Sequence, residues 1–529
     1  MTRLNKISIF DSTLRDGSQA EGINFSVEDK LKIVRALDAL GVSYIEAGNP
    51  SSNPKDIEFF VRVGALKLKN ASLVAFGSTR RKDTRACDDP SLQALLSAGT
   101  STVAVFGKCW DLHVGHILNT TNEENLNMIR DTVAYLTEKG RKVIFDAEHF
   151  FDGWKNNPEY ALSALGAAAA GGAVTLALCD TNGGAFPEEI FRAVTAVRET
   201  FPSIEIGIHC HNDCGLAVAN SLAAVNAGAA QVQGTFIGYG ERCGNANLSA
   251  LIAVLQLKKN YACIPAANMP ELTAAAREIA DISNIRLERY MPFVGSSAFT
   301  HKAGMHADGV IKLPRSFEQL DPALVGNERR FVMSEFAGRT ATFNKIRKYF
   351  PELNKDGEEV KNILDRIKEQ ERAGYQYESA ESSFMLEVYK SLGLYKPFFE
   401  LISYKTIAEQ PGEPNLSATA TVKIRVQDKT HLLAAQGDGP VNALDLALRK
   451  CLGTFYPEIS SMTLVDYKVR VLDGKAATAA VVRVLITTTD GRETWTTVGV
   501  SEDLIQASFK ALSDSIEYRL LCNERKKKK

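Results

Sequence analysis

The chain has 529 residues, too many for one ordinary domain and enough for two or three. It is 45% apolar and 24% charged, the balance of a soluble globular protein, and its net charge of -1 gives no reason to expect nucleic acid or an anionic membrane as partner. No apolar run approaches the ~20 residues that span a bilayer. The chain enters a strand-like run by residue 7, so no signal peptide is expected. Its nine cysteines form no C-x-x-C pair, which suits a reducing cytoplasm. The closing run of lysines, 526–529, reads as a frayed basic tail.

Up to about residue 260, short apolar runs alternate with helix-like segments. The runs are ISIFD (7–11), SYIEAG (43–48), SLVAFG (72–77), STVAVFG (101–107), KVIFDAE (142–148), AVTLALCD (173–180), EIGIHCH (205–211) and QVQGTFIG (231–238). Between them, segments such as EDKLKIVRALDALG place apolar residues three and four apart and stop at Gly. Eight buried-strand signals alternating with helices predict an α/β fold, a closed (β/α)8 TIM barrel over 1–270. The alternative is a doubly wound open sheet, weakened because strand one carries no Gly-rich phosphate fingerprint.

Beyond 270 the pattern turns helical and charged, as in GEEVKNILDRIKEQERAGYQYE, and 271–405 reads as a linker with helical subdomains. QPGEPNLSA (410–418) reads as a loop inside the start of a last domain, 406–525. There the pattern alternates, with hairpin signals at Asp473-Gly474 and Asp490-Gly491. GDGPVNALDLALRKCL and VGVSEDLIQASFKALSDSI repeat a strand, a turn and an amphipathic helix. This α+β module holds no catalytic cluster and reads as regulatory or oligomeric.

Five segments carry chemistry. In DSTLRDG, after strand one, Arg15 is a permanent cation suited to a developing oxyanion, and Asp16 is a hard ligand for a divalent ion; the competing role is a capping Asp beside a surface Arg. In HCHND, His209 and His211 stand two apart on a strand and share a face. Two imidazoles and a carboxylate make a three-ligand site with open positions; two core histidines are the alternative. In GYGERCGN, after strand eight, Asn245 offers a neutral oxygen beside Asp16, because strand eight closes on strand one. In DAEH, Glu148 shares a face with Asp146 and is either a general base or a salt-bridged loop carboxylate. Thr181, in DTNGG, offers a hydroxyl to a carboxylate. In THKAGMHADG, outside the barrel, His306 and Asp308 could pair as base and orienter.

In this order the segments resemble the acyltransferase family of isopropylmalate, homocitrate and citramalate synthases. DSTLRDGSQ, HCHND and GERCGNANL are similar to its barrel motifs, HKAGMHADG to its subdomain motif, and the tail from GDGPVNALDLALRKCL to its regulatory domain. The resemblance implies a Claisen-type condensation of acetyl-CoA with a 2-oxo acid. It assigns the divalent metal (Mg, Mn, Zn or Co) to Asp16, His209 and His211, with Asn245 in or near the shell. It gives the carbonyl to Arg15, proton removal or substrate binding to Glu148, and the substrate carboxylate to Thr181. His306 and Asp308 would act from the neighbouring subunit of a homodimer. Phe317 stands where a tyrosine usually follows that motif.

Ala104 and Phe106 alternate on strand four and should both face the barrel interior, where a bulky Phe106 favours a small acceptor. FGSTRR, FGKCWDLHV, DAEHFFDG and LVGNERR are most similar to the citramalate branch. That implies pyruvate as acceptor, a step toward isoleucine, and feedback by a branched-chain amino acid, isoleucine first. The alternatives are the isopropylmalate or homocitrate reaction, a hydroxymethylglutaryl-CoA-type lyase, and a non-catalytic regulator.

Overall fold

The structure, a computed structural model, describes residues 5–301, 304–331, 343, 346–347, 349–354, 357–377, 379–409, 417–472, 480–491 and 493–528. The chain divides into two compact units, Met1–Phe299 with Leu320–Arg329, and Thr300–Gln319 with Arg330–Lys529.

The first unit is a closed barrel of eight strands in sequence order. They are β1 (Ser8–Asp11), β2 (Tyr44–Gly48), β3 (Ser72–Ser78), β4 (Thr102–Lys108), β5 (Lys142–Glu148), β6 (Thr175–Asp180), β7 (Glu205–Cys210) and β8 (Gln231–Gly234). All neighbours pair in parallel, and β8 closes on β1 from Ser8 opposite Gln231 to Asp11 opposite Gly234. The open-sheet alternative is thereby excluded. The helices start and stop where the sequence signals them. Ser26 and Asp29 form a capping box ahead of Val27–Leu40, and Gly41 ends that helix at φ 100°, a left-handed turn that suits glycine.

Period-two alternation sorts the strand side chains. Ile9, Ile45, Val103, Phe145 and Ile208 join the large core under the helices. Their neighbours Phe10, Val74, Ala104, Ile144 and Ala177 form a separate cluster inside the barrel. The interior is therefore plugged by apolar side chains, and the next inward positions along each strand face the mouth. Ala104 points inward as expected, and Phe106, Asp146 and Cys179 follow their interior neighbours by two residues.

The second unit holds a short parallel pair, β9 (Thr300–His301) with β10 (Arg330–Phe331), then helices at Glu358–Arg372 and Glu381–Ser391. Two antiparallel sheets follow. One is β11 (Glu400–Ala408), β12 (Ala418–Val426) and β13 (Lys429–Gly437); the other is β14 (Thr463–Val471), β15 (Val482–Thr489) and β16 (Thr494–Ser501). Helices Pro440–Leu452 and Leu504–Lys528 come after the respective sheets. The repeat seen in the sequence is thus a unit of three strands and a helix. Its first strand begins at Glu400, ahead of residue 406. Gly491, at φ 81°, turns the hairpin between β15 and β16; Asp473-Gly474 and most of 410–418 lie outside the described residues. Among the described residues no helix is long and apolar enough to cross a membrane.

Closure of the barrel leaves no room beside β8. A Cβ on Gly234 would lie 2.3 Å from the Ala246 carbonyl oxygen. Gly234→Ala should cost about 1–3 kcal/mol, as overpacking against backbone does. Urea denaturation would show the barrel's unfolding transition at lower denaturant; an unchanged transition would contradict this packing.

Candidate active site

The loop after β1 folds on its own side chains. Asp11 Oδ1 accepts the Thr13 N–H at 2.9 Å, Thr13 Oγ1 accepts the Phe236 N–H at 2.9 Å, and Ser12 Oγ accepts the Asp16 N–H at 3.2 Å. Leu14 anchors the loop in the core. Arg15 and Asp16 are thereby turned into the barrel mouth.

There Asp16 Oδ2 lies 3.7 Å from His209 Nε2 and 3.8 Å from His211 Nε2. All three side chains are buried, and one ligand atom from each falls within 4.8 Å of the others. These separations are too long for hydrogen bonds and leave a space edged by lone pairs. Asn245 Nδ2 donates to Asp16 Oδ1 at 2.7 Å, while its own buried Oδ1 has no hydrogen-bond partner. Burial raises the Asp16 carboxyl, but Arg15 and the two imidazoles outweigh it and hold the group well below the usual carboxylate range. Burial, then the neighbouring His209, pushes His211 down to about 4, so its imidazole is neutral near pH 7 with a lone pair free. A carboxylate, two imidazoles and an orphaned amide oxygen fit a divalent metal ion.

Arg15 is held from two sides. Its Nε donates to Glu46 Oε2 at 2.6 Å and its Nη1 to Asp16 Oδ2 at 2.8 Å. Burial disfavours the guanidinium charge, and Glu46, Asp16 and Asp146 more than restore it. Its Cζ sits 3.9 Å from the centre of the Phe76 ring, which stacks on Phe106 at 5.3 Å. Glu46 also accepts from Ser12 and is fully buried on β2, at a register shift between Glu46 and Gly48.

A cavity of about 330 Å³ opens over these groups, lined among others by Phe76, Phe106, Asp146, Glu148, Cys179 and Thr181. Glu148 forms an ion pair with Lys108, its register neighbour on β4. The salt-bridged geometry is therefore present, at a carboxylate that still faces the cavity. Thr181 Oγ1 accepts the His149 N–H at 2.9 Å, leaving the hydroxyl proton for a ligand. His149 adopts φ 55°, an uncommon conformation for a non-glycine residue. Arg242 grips Asp213 through two bonds of 2.8 and 2.9 Å and donates to the Thr181 carbonyl at 2.6 Å, tying the loops after β6, β7 and β8 together.

His306 and Asp308 belong to the second unit, on the helix Gly304–Lys312. The His306 ring lies 5.0 Å from that of Phe317; the Asp308 side chain lies outside the described residues.

Four features escaped the reading of the sequence: Glu46, Lys108, Gln233 and the Arg242–Asp213 pair. Glu46 had a signal, a lone charge inside a buried apolar run. Glu46→Ala should cost about 3–5 kcal/mol, because it strips one partner from a buried ion pair. A urea midpoint equal to that of the unsubstituted chain would refute the pairing.

The HMGL-like family model matches residues 6–279, the homocitrate synthase post-HMGL domain-like model 293–374, and the LeuA allosteric (dimerisation) domain model 378–520. The chain is 49% identical over 520 residues to an (R)-citramalate synthase of Aquifex aeolicus, covering 98% of both chains. It is 48% identical over 532 residues to an (R)-citramalate synthase of Synechocystis sp., covering 98% of this chain and 97% of that one. A third, of Geobacter sulfurreducens, is 44% identical over 518 residues, covering 98% of both.

Proposed function

Because the chain belongs to the HMGL-like family, we propose that it condenses acetyl-CoA with pyruvate and water to give (R)-citramalate and CoA. The observation that carries this reading is the buried Asp16–His209–His211 cluster, which opens beside Arg15 onto a small cavity walled by Phe76 and Phe106. Identity of 44–49% over nearly the whole length to proteins named for that reaction supports the choice of acceptor.

Asp16, His209 and His211, with Asn245, would hold a divalent ion, which supplies Lewis-acid charge next to the acceptor's oxygens. The donor set admits Mg, Mn, Zn or Co. Arg15 donates N–H to the ketone oxygen of the 2-oxo acid, where negative charge develops as the new carbon–carbon bond forms. Its own charge is secured by Glu46. Thr181 donates its hydroxyl to the acceptor's carboxylate. Phe106 and Phe76 cover the methyl group and leave little space for a larger one. Glu148 accepts a proton from the acetyl methyl group, and Lys108 holds that carboxylate in place. The carbanion then attacks the ketone carbon, the carbonyl electron pair moves onto the oxygen held by Arg15, and that oxygen takes up a proton, balancing the one removed to Glu148. Water cleaves the resulting thioester, releasing CoA and making the condensation effectively irreversible.

Four assignments complete the reading. Residues 1–270 form the catalytic barrel, 271–399 a linker, and 400–525 the regulatory part of a homodimer, the boundary being moved from 405/406 so that β11 stays whole. His306 and Asp308 complete the site of the neighbouring subunit. The effector is a branched-chain amino acid, isoleucine first, and the enzyme works in the cytoplasm.

Steady-state rates with pyruvate, 2-oxoisovalerate and 2-oxoglutarate, before metal removal, after it and after metal restoration, test the proposal. Pyruvate should give the highest kcat/KM, the chelated protein should be inactive, and added metal should restore it. Preference for either larger acid, or full activity without metal, would sink it. Arg15→Ala should lower kcat by about 10²–10³, the usual loss for one oxyanion donor; unchanged turnover would refute its role.

A further inference from the structure

A buried chain of polar side chains runs up the inside of the barrel to the His209 imidazole. Gln233 Oε1 lies 3.0 Å from His209 Nδ1. Gln233 Nε2 lies 3.1 Å from Asp146 Oδ1 and 3.1 Å from Gln231 Oε1. Gln231 Nε2 lies 3.4 Å from Glu205 Oε1, which also accepts from Thr175 Oγ1 at 3.1 Å. Gln231 and Gln233 are fully buried.

The donor and acceptor types give this chain a direction. Glu205 Oε1 accepts from both Thr175 and Gln231, so Gln231 turns its NH2 to that oxygen and its own oxygen up the barrel. That oxygen, together with Asp146, takes the NH2 of Gln233. Gln233 then has only its carbonyl oxygen left for His209, so Nδ1 of that ring must carry the proton. The lone pair is left on Nε2, the atom that faces Asp16. Nothing in packing asks for this arrangement. Apolar side chains of similar volume would fill the same space without the desolvation that two buried amides cost.

We infer that Gln233 is a positioning residue that locks His209 in the tautomer able to ligate through Nε2, with Asp146 and Gln231 holding the Gln233 amide in the required orientation. The inference rests on the reading of Asp16, His209 and His211 as metal ligands. It deepens that reading by naming what prepares one ligand before the ion arrives. His211 has no such support, since its Nδ1 is buried without a hydrogen-bond partner. Groups that accept the second N–H of a ligating histidine typically change metal affinity by about 10–100-fold when removed.

The test is binding, not turnover. The full-length chain, stripped of metal, is titrated with Mn²⁺ and the free ion is read by its EPR signal. Gln233→Met should weaken Mn²⁺ about 10–100-fold. Gln233→Glu, which keeps an oxygen for the Nδ1–H, should recover most of that loss. Equal affinity of Gln233→Met and the unsubstituted chain would overturn the inference, and so would equal losses in both variants. If Gln233→Met does not fold, ¹⁵N–¹H spectra of histidine-labelled, metal-free, unsubstituted protein decide. The His209 signal, identified by its absence from His209→Gln, should show the proton on Nδ1; a proton on Nε2 overturns the lock. If the unsubstituted chain binds no Mn²⁺ at all, the metal reading itself fails, an outcome distinct from a variant that binds normally.

Discussion

Everything in the site depends on one closure, the parallel pairing of β8 with β1. Asp16 and Asn245 are 229 residues apart in the chain, yet their side chains meet at 2.7 Å because Asp11 pairs with Gly234. The same closure lets Thr13 cap the Phe236 N–H, so the loops after the first and last strands hold each other in shape. β7 lies next to β8 and brings His209 and His211 to the same rim. A barrel that failed to close would keep every strand and lose the cluster. The close approach of Gly234 to the Ala246 backbone marks how little slack the closure has.

Much of this was legible in the sequence because alternation is a strict rule. Once eight apolar runs were read as barrel strands, inward and outward positions followed, and with them the placing of Ala104, Phe106, His209 and His211. Asp16 and Asn245 required only that the first and last strands be neighbours. Contacts between strands were harder. Lys108 meets Glu148, and Phe76 meets Phe106, through the registers of β4 with β5 and of β3 with β4. Register depends on the tilt and shear of the whole barrel, which no single run reveals. Arg242 and Asp213 were hidden differently. Each lay inside a recognised motif, but their bond depends on loop conformations, including φ 56° at Arg242.

The second unit was less legible for a related reason. β11 is mostly exposed and buries none of its residues, and its run ELISYKTIA mixes charge with apolar residues, so its alternation is diluted. Only its pairing with β12, eight register partners long, makes the strand evident. By contrast β12 alternates cleanly between buried positions and half-buried or exposed ones, so its period is plain in the sequence. The signal tracks burial: a strand covered on one face by a helix writes its period into the sequence, and an edge strand does so faintly.

The charge balance of the mouth gives an independent reason for a cation there. Asp16, Asp146, Glu148 and Glu241 line it and Glu46 lies buried behind Arg15, against the cations Arg15 and Lys108, and Arg15 is already bound by Asp16 and Glu46. The strain shows at Asp146. Burial first, and then the charge of Glu46, push it up to about 7, even though Arg15 and the Gln233 amide pull the other way. A crowded group of acids in a low-dielectric site relieves itself by taking up protons or a metal ion. Asp16 does not take the proton, because the Arg15 guanidinium beside it holds its carboxyl well below the usual carboxylate range. The acid that stays charged is therefore the one flanked by two imidazole ring nitrogens and an unpaired amide oxygen. Proton uptake and cation uptake are thus separated in space, with Asp146 suited to the first and Asp16 to the second.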